Sequence, residues 1–193
     1  MPSASRSGQA GRSTAYRLRP MSRWRIDSDA SRFRITFQPG LPGVGMSIRG
    51  ITGTFVADID EDGRPDLDRP VEGEFEITAH DLDLGHPILG RIVRAFLDGD
   101  EEVAAQGWIN GMEAIGGGRD DAGEDRYRFR LRLHLRGHDH DLDAEGTTHR
   151  EPDGSITVHG TATVDPRDLG VPIPRFIPLR CLSTWELHVV PAA

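Results

Sequence analysis

The chain has 193 residues, 36% hydrophobic and 28% charged, the balance of one globular domain able to bury roughly 70% of its unfolded surface. Its 31 acidic residues against 23 basic give a net charge of -8, which repels a polyphosphate backbone and sets nucleic-acid binding aside. The one cysteine, Cys181, leaves no thiol for an intramolecular disulfide or a thiolate zinc cluster, and every basic residue is arginine, so a lysine-dependent phosphate loop is excluded.

Residues 1–20 are rich in Ser, Gly and Arg and lack the apolar stretch of about 7 to 15 residues that a secretory signal uses. They are expected to add nothing to folding or binding, either as a disordered tail or as residues ahead of a start at Met21, and a single domain is expected over 21–193. No run of about 18 apolar residues occurs, which predicts a protein without a transmembrane helix. The expected compartment is the cytoplasm, and monomer and homodimer both stay open.

From Trp24 onward the signal has period two, the mark of strands with one buried face. Phe33, Ile35 and Phe37 alternate with Arg32, Arg34 and Thr36. Phe75 and Ile77, after Val71 and Gly73, alternate with Glu72, Glu74 and Glu76. Leu131, Leu133 and Leu135, after Phe129, alternate with Arg128, Arg130, Arg132 and His134. Further strands are predicted around 47–59, 103–114, 140–148, 156–164 and 179–190, the last carrying Trp185, which makes about eight. Asp62-Gly63, Gly116-Gly117-Gly118 and Asp153-Gly154 offer the positive φ angles of tight hairpins. The predicted fold is all-β, an antiparallel meander of eight strands that removes its edges by closing into a lipocalin-like barrel.

One segment breaks the period. Over 86–98, Pro87 suits a first helical turn, and Ile88, Leu89, Ile92, Val93, Phe96 and Leu97 recur at helical spacing. This predicts one amphipathic helix that covers a barrel end, either as a plug or as a lid over a ligand entrance. Arg91 and Arg94 on it are candidates for holding an anionic head group, since guanidinium groups take phosphate bidentately. A short turn is expected at 166–169, followed by the proline-rich stretch 171–178.

Catalytic and metal chemistry find little support. His138 and His140 lie two apart, with His134 upstream, but two imidazoles make an incomplete ligand set, and 137–141 reads as a solvated turn. Asp58, Asp60 and Asp62 precede Gly63 as in a calcium loop, yet the twelfth position holds Arg69 where a bidentate Glu is required. A solvated hairpin tip accounts for them. No Gly-x-Ser-x-Gly elbow occurs, and Cys181, on one strand face with Leu179 and Ser183, reads as a buried inert thiol. No catalytic residue, metal or cofactor is assigned.

Four stretches in order carry a family resemblance. They are the opening Trp24-Arg25-Ile26-Asp27 with Ser31-Arg32-Phe33, then 48–55, 133–137, and 160–164 leading into Asp168-Leu169-Gly170-Val171. Together they resemble the YceI-like family over 24–190. The resemblance implies an extended antiparallel barrel of lipocalin-like kind that binds long polyisoprenoid chains inside it.

The chemistry of such a ligand suits these residues. A polyprenyl tail makes no hydrogen bonds, so an apolar slot needs only shape and area. Withdrawing about 400 Å² of tail from water at about 25 cal/mol per Å² contributes on the order of 10 kcal/mol before association costs. An apolar tunnel is therefore expected between Phe33, Phe75 and Leu133, lined also by Ile35, Phe37, Ile77, Leu131, Leu135 and Trp185, with Ile88, Ile92, Val93 and Phe96 closing one side. The partner is a hydrophobic, isoprenoid-like small molecule. The alternative is a small enzyme working on a hydrophobic substrate through His or Asp at the mouth, which would place ionisable groups with perturbed pKa values inside the cavity.

Overall fold

The computed structural model describes residues 21–38, 45–78, 82–83, 103–119, 125–135, 137–170 and 180–192. Eleven strands run through them: β1 Arg23–Ile26, β2 Arg32–Gln38, β3 Gly45–Ile48, β4 Thr52–Val56, β5 Glu72–Thr78, β6 Leu82–Asp83, β7 Val103–Arg119, β8 Asp125–Leu135, β9 His138–Arg150, β10 Ile156–Val164 and β11 Arg180–Pro191. All pairings are antiparallel, and β5, β7, β8, β9, β10 and β11 form a meander in that order.

Closure follows from β1, which pairs with β4 on one side and β11 on the other, so that Ile26 lies opposite Val189 and Trp24 opposite Phe55. The ring holds eight rows, three of them broken. β11 pairs with β2 through residues 180–186 and with β1 through 189–191, so β1 and β2 are two halves of one row. In the same way β3 and β4 share a row, and β5 is continued by β6. The predicted eight-stranded barrel is the observed fold. No helix occurs among the described residues, and the segment expected to be helical, with Ile88, Arg91, Ile92, Val93, Arg94 and Phe96, lies outside them, as do residues 1–20.

The breaks have local causes. At the first, Asp27 caps its own turn, its Oδ1 accepting the backbone N–H groups of Asp29 and Ala30. The His188 carbonyl then accepts the N–H of Asp27, while the His188 N–H donates to the Ser31 hydroxyl. These bonds carry β11 from one half-row to the other. At the second break Gly50 takes φ +74°, a conformation glycine adopts without steric cost.

Two expectations are corrected. Gly116, Gly117 and Gly118 do not make a turn: β7 runs through them and Arg119 still pairs with Asp125. Glycine permits a turn without requiring one, and the strand passes through these residues as an irregularity in its register with β8 between Ala114 and Arg119. Residues 137–141 are not one solvated turn either. Gly137 takes φ +74° in the bend, and His138 already begins β9. The 166–169 turn is present as three successive i→i+3 bonds that end at Gly170.

Alternation sets the inner surface. Tyr127, Phe129, Leu131, Leu133 and Leu135 of β8 share a face, and their register partners carry it around the ring. A register shift between Ile109 and Gly111 keeps β7 in phase, because Ala105, Gly107 and Ile109 face inward before it and Met112 and Ala114 after it. Outward, the arginines of β8 meet carboxylates: Arg126 with Glu145 at 2.5 Å, Arg130 with Glu113 at 3.3 Å and Arg132 with Asp141 at 3.0 Å.

Candidate ligand cavity

Inside the barrel the bulky side chains are aromatic and several of their neighbours are glycine. Trp185 covers Gly160 and Phe75 covers Gly107, each so closely that a Cβ on the glycine would collide with the ring. A Cβ on Gly73 would stand 2.5 Å from that of Phe55. Trp185 also stacks on Phe33, ring centroids 5.8 Å apart and planes at 7°. Rings laid flat against glycine leave space along the barrel axis that upright rings would fill.

That space is a cavity of about 100 Å³. Four residues expected to line it do so: Phe33, Phe75, Leu131 and Trp185. Five others sit elsewhere. Ile77 and Leu135 are buried in the main core cluster, and Ile35 and Leu133 pack against that cluster without reaching the cavity. Phe37, opposite Cys181 on the β11 edge, is half-buried and also off the cavity. On the Leu133 side the cavity is bounded, among the described residues, by Ile48, Ile77, Ala105 and Leu135, a packed core on which Leu133 rests, while the segment expected to close one side of the tunnel lies outside those residues.

Residues that alternation alone did not single out complete the lining. Ile26, Phe129, Leu187 and Val189 extend the rows of Phe33, Leu131 and Trp185, and Ile51, Phe55, Ile109, Met112 and Val158 come from other rows. Several carried a signal: Val158 continues Ile156, Ala162 and Val164, and Leu187 and Val189 continue Trp185, each at period two.

One wall comes from outside the barrel proper. The β4–β5 connection, residues 57–71, folds over one barrel end and brings Ile59, Pro65 and Val71 onto the cavity. The tip expected to be solvated does expose Asp60 and Asp62, with Gly63 at φ +84° and Asp60 Oδ1 accepting the N–H groups of Asp62 and Arg64. Its underside is clamped down. The Thr148 hydroxyl donates to the Gly63 carbonyl at 2.7 Å, Arg150 donates to the Asp60 carbonyl at 2.9 Å, and Arg64 Nε donates to Asp125 at 2.7 Å. Asp58 pairs with Arg69, and Trp24 Nε1 donates to the Ala57 carbonyl.

The lining is close to purely apolar. Thr148 spends its hydroxyl on Gly63, and Glu74, which borders the cavity, belongs to the exposed outer row of β5. Two buried titratable groups stand near the core. Burial holds the Cys181 thiol up at about 11, and burial, reinforced by the charge of Asp125, raises the Tyr127 phenol. Both stay protonated, as an apolar surrounding demands. His138 and His140 share a face, but His134 is on the opposite one, its Nδ1 2.6 Å from Asp139, which holds that carboxyl below its usual range. Among the described residues no three metal-ligating side chains converge.

No protein-family model matches the chain, and no curated protein matches it in sequence. Solved structures do match its fold. A polyisoprenoid-binding domain from Saccharophagus degradans superposes with a TM-score of 0.59 at 13% identity, covering 88% of this chain and 98% of that one. A YceI protein from Campylobacter jejuni gives a TM-score of 0.52 at 12% identity, covering 79% of this chain and 87% of its own. The barrel is therefore of the YceI-like fold.

Proposed function

We propose that the chain is a non-enzymatic binding protein that takes a hydrophobic, isoprenoid-like or other lipid-like molecule into the barrel. The observation that carries this reading is the void itself: an apolar cavity kept open by flat rings over glycines in a barrel small enough to be filled by its own side chains. A core shaped only for stability gains from closing such a space, since empty volume forfeits dispersion contacts. The name of the S. degradans domain supports the isoprenoid class.

The cavity bounds what enters without rearrangement. About 100 Å³ is below the roughly 150 Å³ that holds a benzene ring in an engineered apolar cavity. A longer chain enters as the 57–71 cap yields, because Ile59, Pro65 and Val71 close the void from that end.

The test is a filled cavity. Val158→Phe puts a ring into the void without charge, and binding of a fluorescent prenyl probe is expected to weaken at least about tenfold, or 1.4 kcal/mol, with the barrel still folded by circular dichroism. Unchanged affinity in that variant places the ligand somewhere else.

A further inference from the structure

Outside the barrel, the outer faces of β2, β3 and β11 border a groove of about 1010 Å³ that the apolar ligand does not use. Arg32 and Arg34 stand two apart on β2 and share its outer face. Arg49 follows Ile48, the register partner of Phe33, and so comes to lie beside Arg32. Ser47 and Thr184 flank Arg34 in register on either side.

Two features distinguish this cluster from the outward arginines of β8. On β8 the outward guanidinium groups meet carboxylates on β7 and β9. Arg32, Arg34 and Arg49 are exposed and have no ion pair or hydrogen-bond partner among the described residues, even though Glu186 lies opposite Arg32 in the ladder. Like charges side by side on a sheet repel. With Asp29 and Glu186 as the carboxylates of the groove, it still carries an excess of one positive charge on a chain of -8.

We propose that this groove binds a phosphate-type anion, held by the guanidinium groups of Arg32, Arg34 and Arg49 and by the hydroxyls of Ser47 and Thr184. Planar guanidinium groups engage phosphate oxygens bidentately, and an anion between Arg32 and Arg49 relieves their repulsion. Its polar groups stand on the face of β2 and β11 opposite the interior cavity, and Phe33 and Trp185 border both.

The probes are inorganic diphosphate, followed by calorimetry, and vesicles of phosphatidylglycerol in phosphatidylcholine, followed by co-sedimentation. The full chain is expected to bind at least one of them in a salt-sensitive way. The triple variant Arg32→Gln, Arg34→Gln, Arg49→Gln is expected to lose at least about tenfold in affinity. The control pair Arg130→Gln, Arg132→Gln, whose partners are on β7 and β9, stays within about twofold, and Glu186→Gln binds more tightly. Diphosphate binding identifies a free phosphate ligand; binding to vesicles alone identifies a lipid head group. All three side chains are exposed, so the fold is retained, and Arg49→Gln alone, outside any strand, repeats the test. The proposal is overturned if neither probe binds the full chain, or if the triple variant binds as the full chain does.

Discussion

Gly160 and Trp185 show how much one missing methyl group decides. The indole occupies the place of a Gly160 side chain and stacks on Phe33, so Gly160→Ala forces the ring off the wall and into the cavity. We expect a loss of about 1–3 kcal/mol in urea denaturation, the usual penalty for overpacking, with a shifted tryptophan emission. An unchanged emission would mean that the indole does not rest on that glycine. Cys181 and Tyr127 make a second prediction at this scale. Both have folded pKa values raised above their unfolded ones, chiefly by burial, so the folded state binds more protons and their contribution is intact below the unfolded values near 9 and 10. Stability should therefore fall as pH rises, for Cys181 from about 9 toward about 11, with part of that slope gone in Cys181→Ala. A flat stability profile from pH 8 to 11 would contradict the buried, protonated state of both groups.

Among the elements, the 57–71 cap is the least conspicuous in the sequence and the most consequential for the cavity. Its residues read as an acidic, glycine-bearing hairpin tip, which is true of the exposed surface. Val71 continues the alternation of β5, but Ile59 and Pro65 show no period, so nothing local announces that their undersides face the barrel interior. Gly63 couples the cap to β9: a Cβ there would stand 2.7 Å from the Arg150 backbone nitrogen, at a φ of +84° that side chains avoid. Gly63→Val should release the cap. Limited proteolysis would then cut within 58–69 at concentrations that leave the parent chain whole, while the barrel strands stay protected. Equal resistance in both proteins would show that the cap is not held through Gly63. The strands themselves were largely legible, since alternating apolar and charged residues on β2, β5 and β8 state which face is buried. The broken rows and the Ile109/Gly111 shift were not, because a bulge preserves the pattern on either side and alters only its phase.

For the whole molecule, closure was legible in the number of alternating strands without regularly interleaved helical patterns, and β1 performs it by pairing with both β4 and β11. Which inward residues touch the void and which merely pack was not readable in advance. Leu131 and Leu133 share a face and a chemistry, yet only Leu131 reaches the cavity, because the core cluster of Ile48, Ile77 and Leu135 closes on Leu133. Distance along the barrel axis, which no period encodes, makes that distinction. The central claim is that the void is kept for an apolar guest, and native mass spectrometry with solvent extraction of the chain purified from its source tests it most directly. The account predicts an adduct near one per chain that extracts into organic solvent as an isoprenoid-like or other lipid-like compound, and that is absent from Val158→Phe. A bare chain mass in gentle preparations, with nothing apolar in the extract and no uptake of added prenyl compounds, would contradict it.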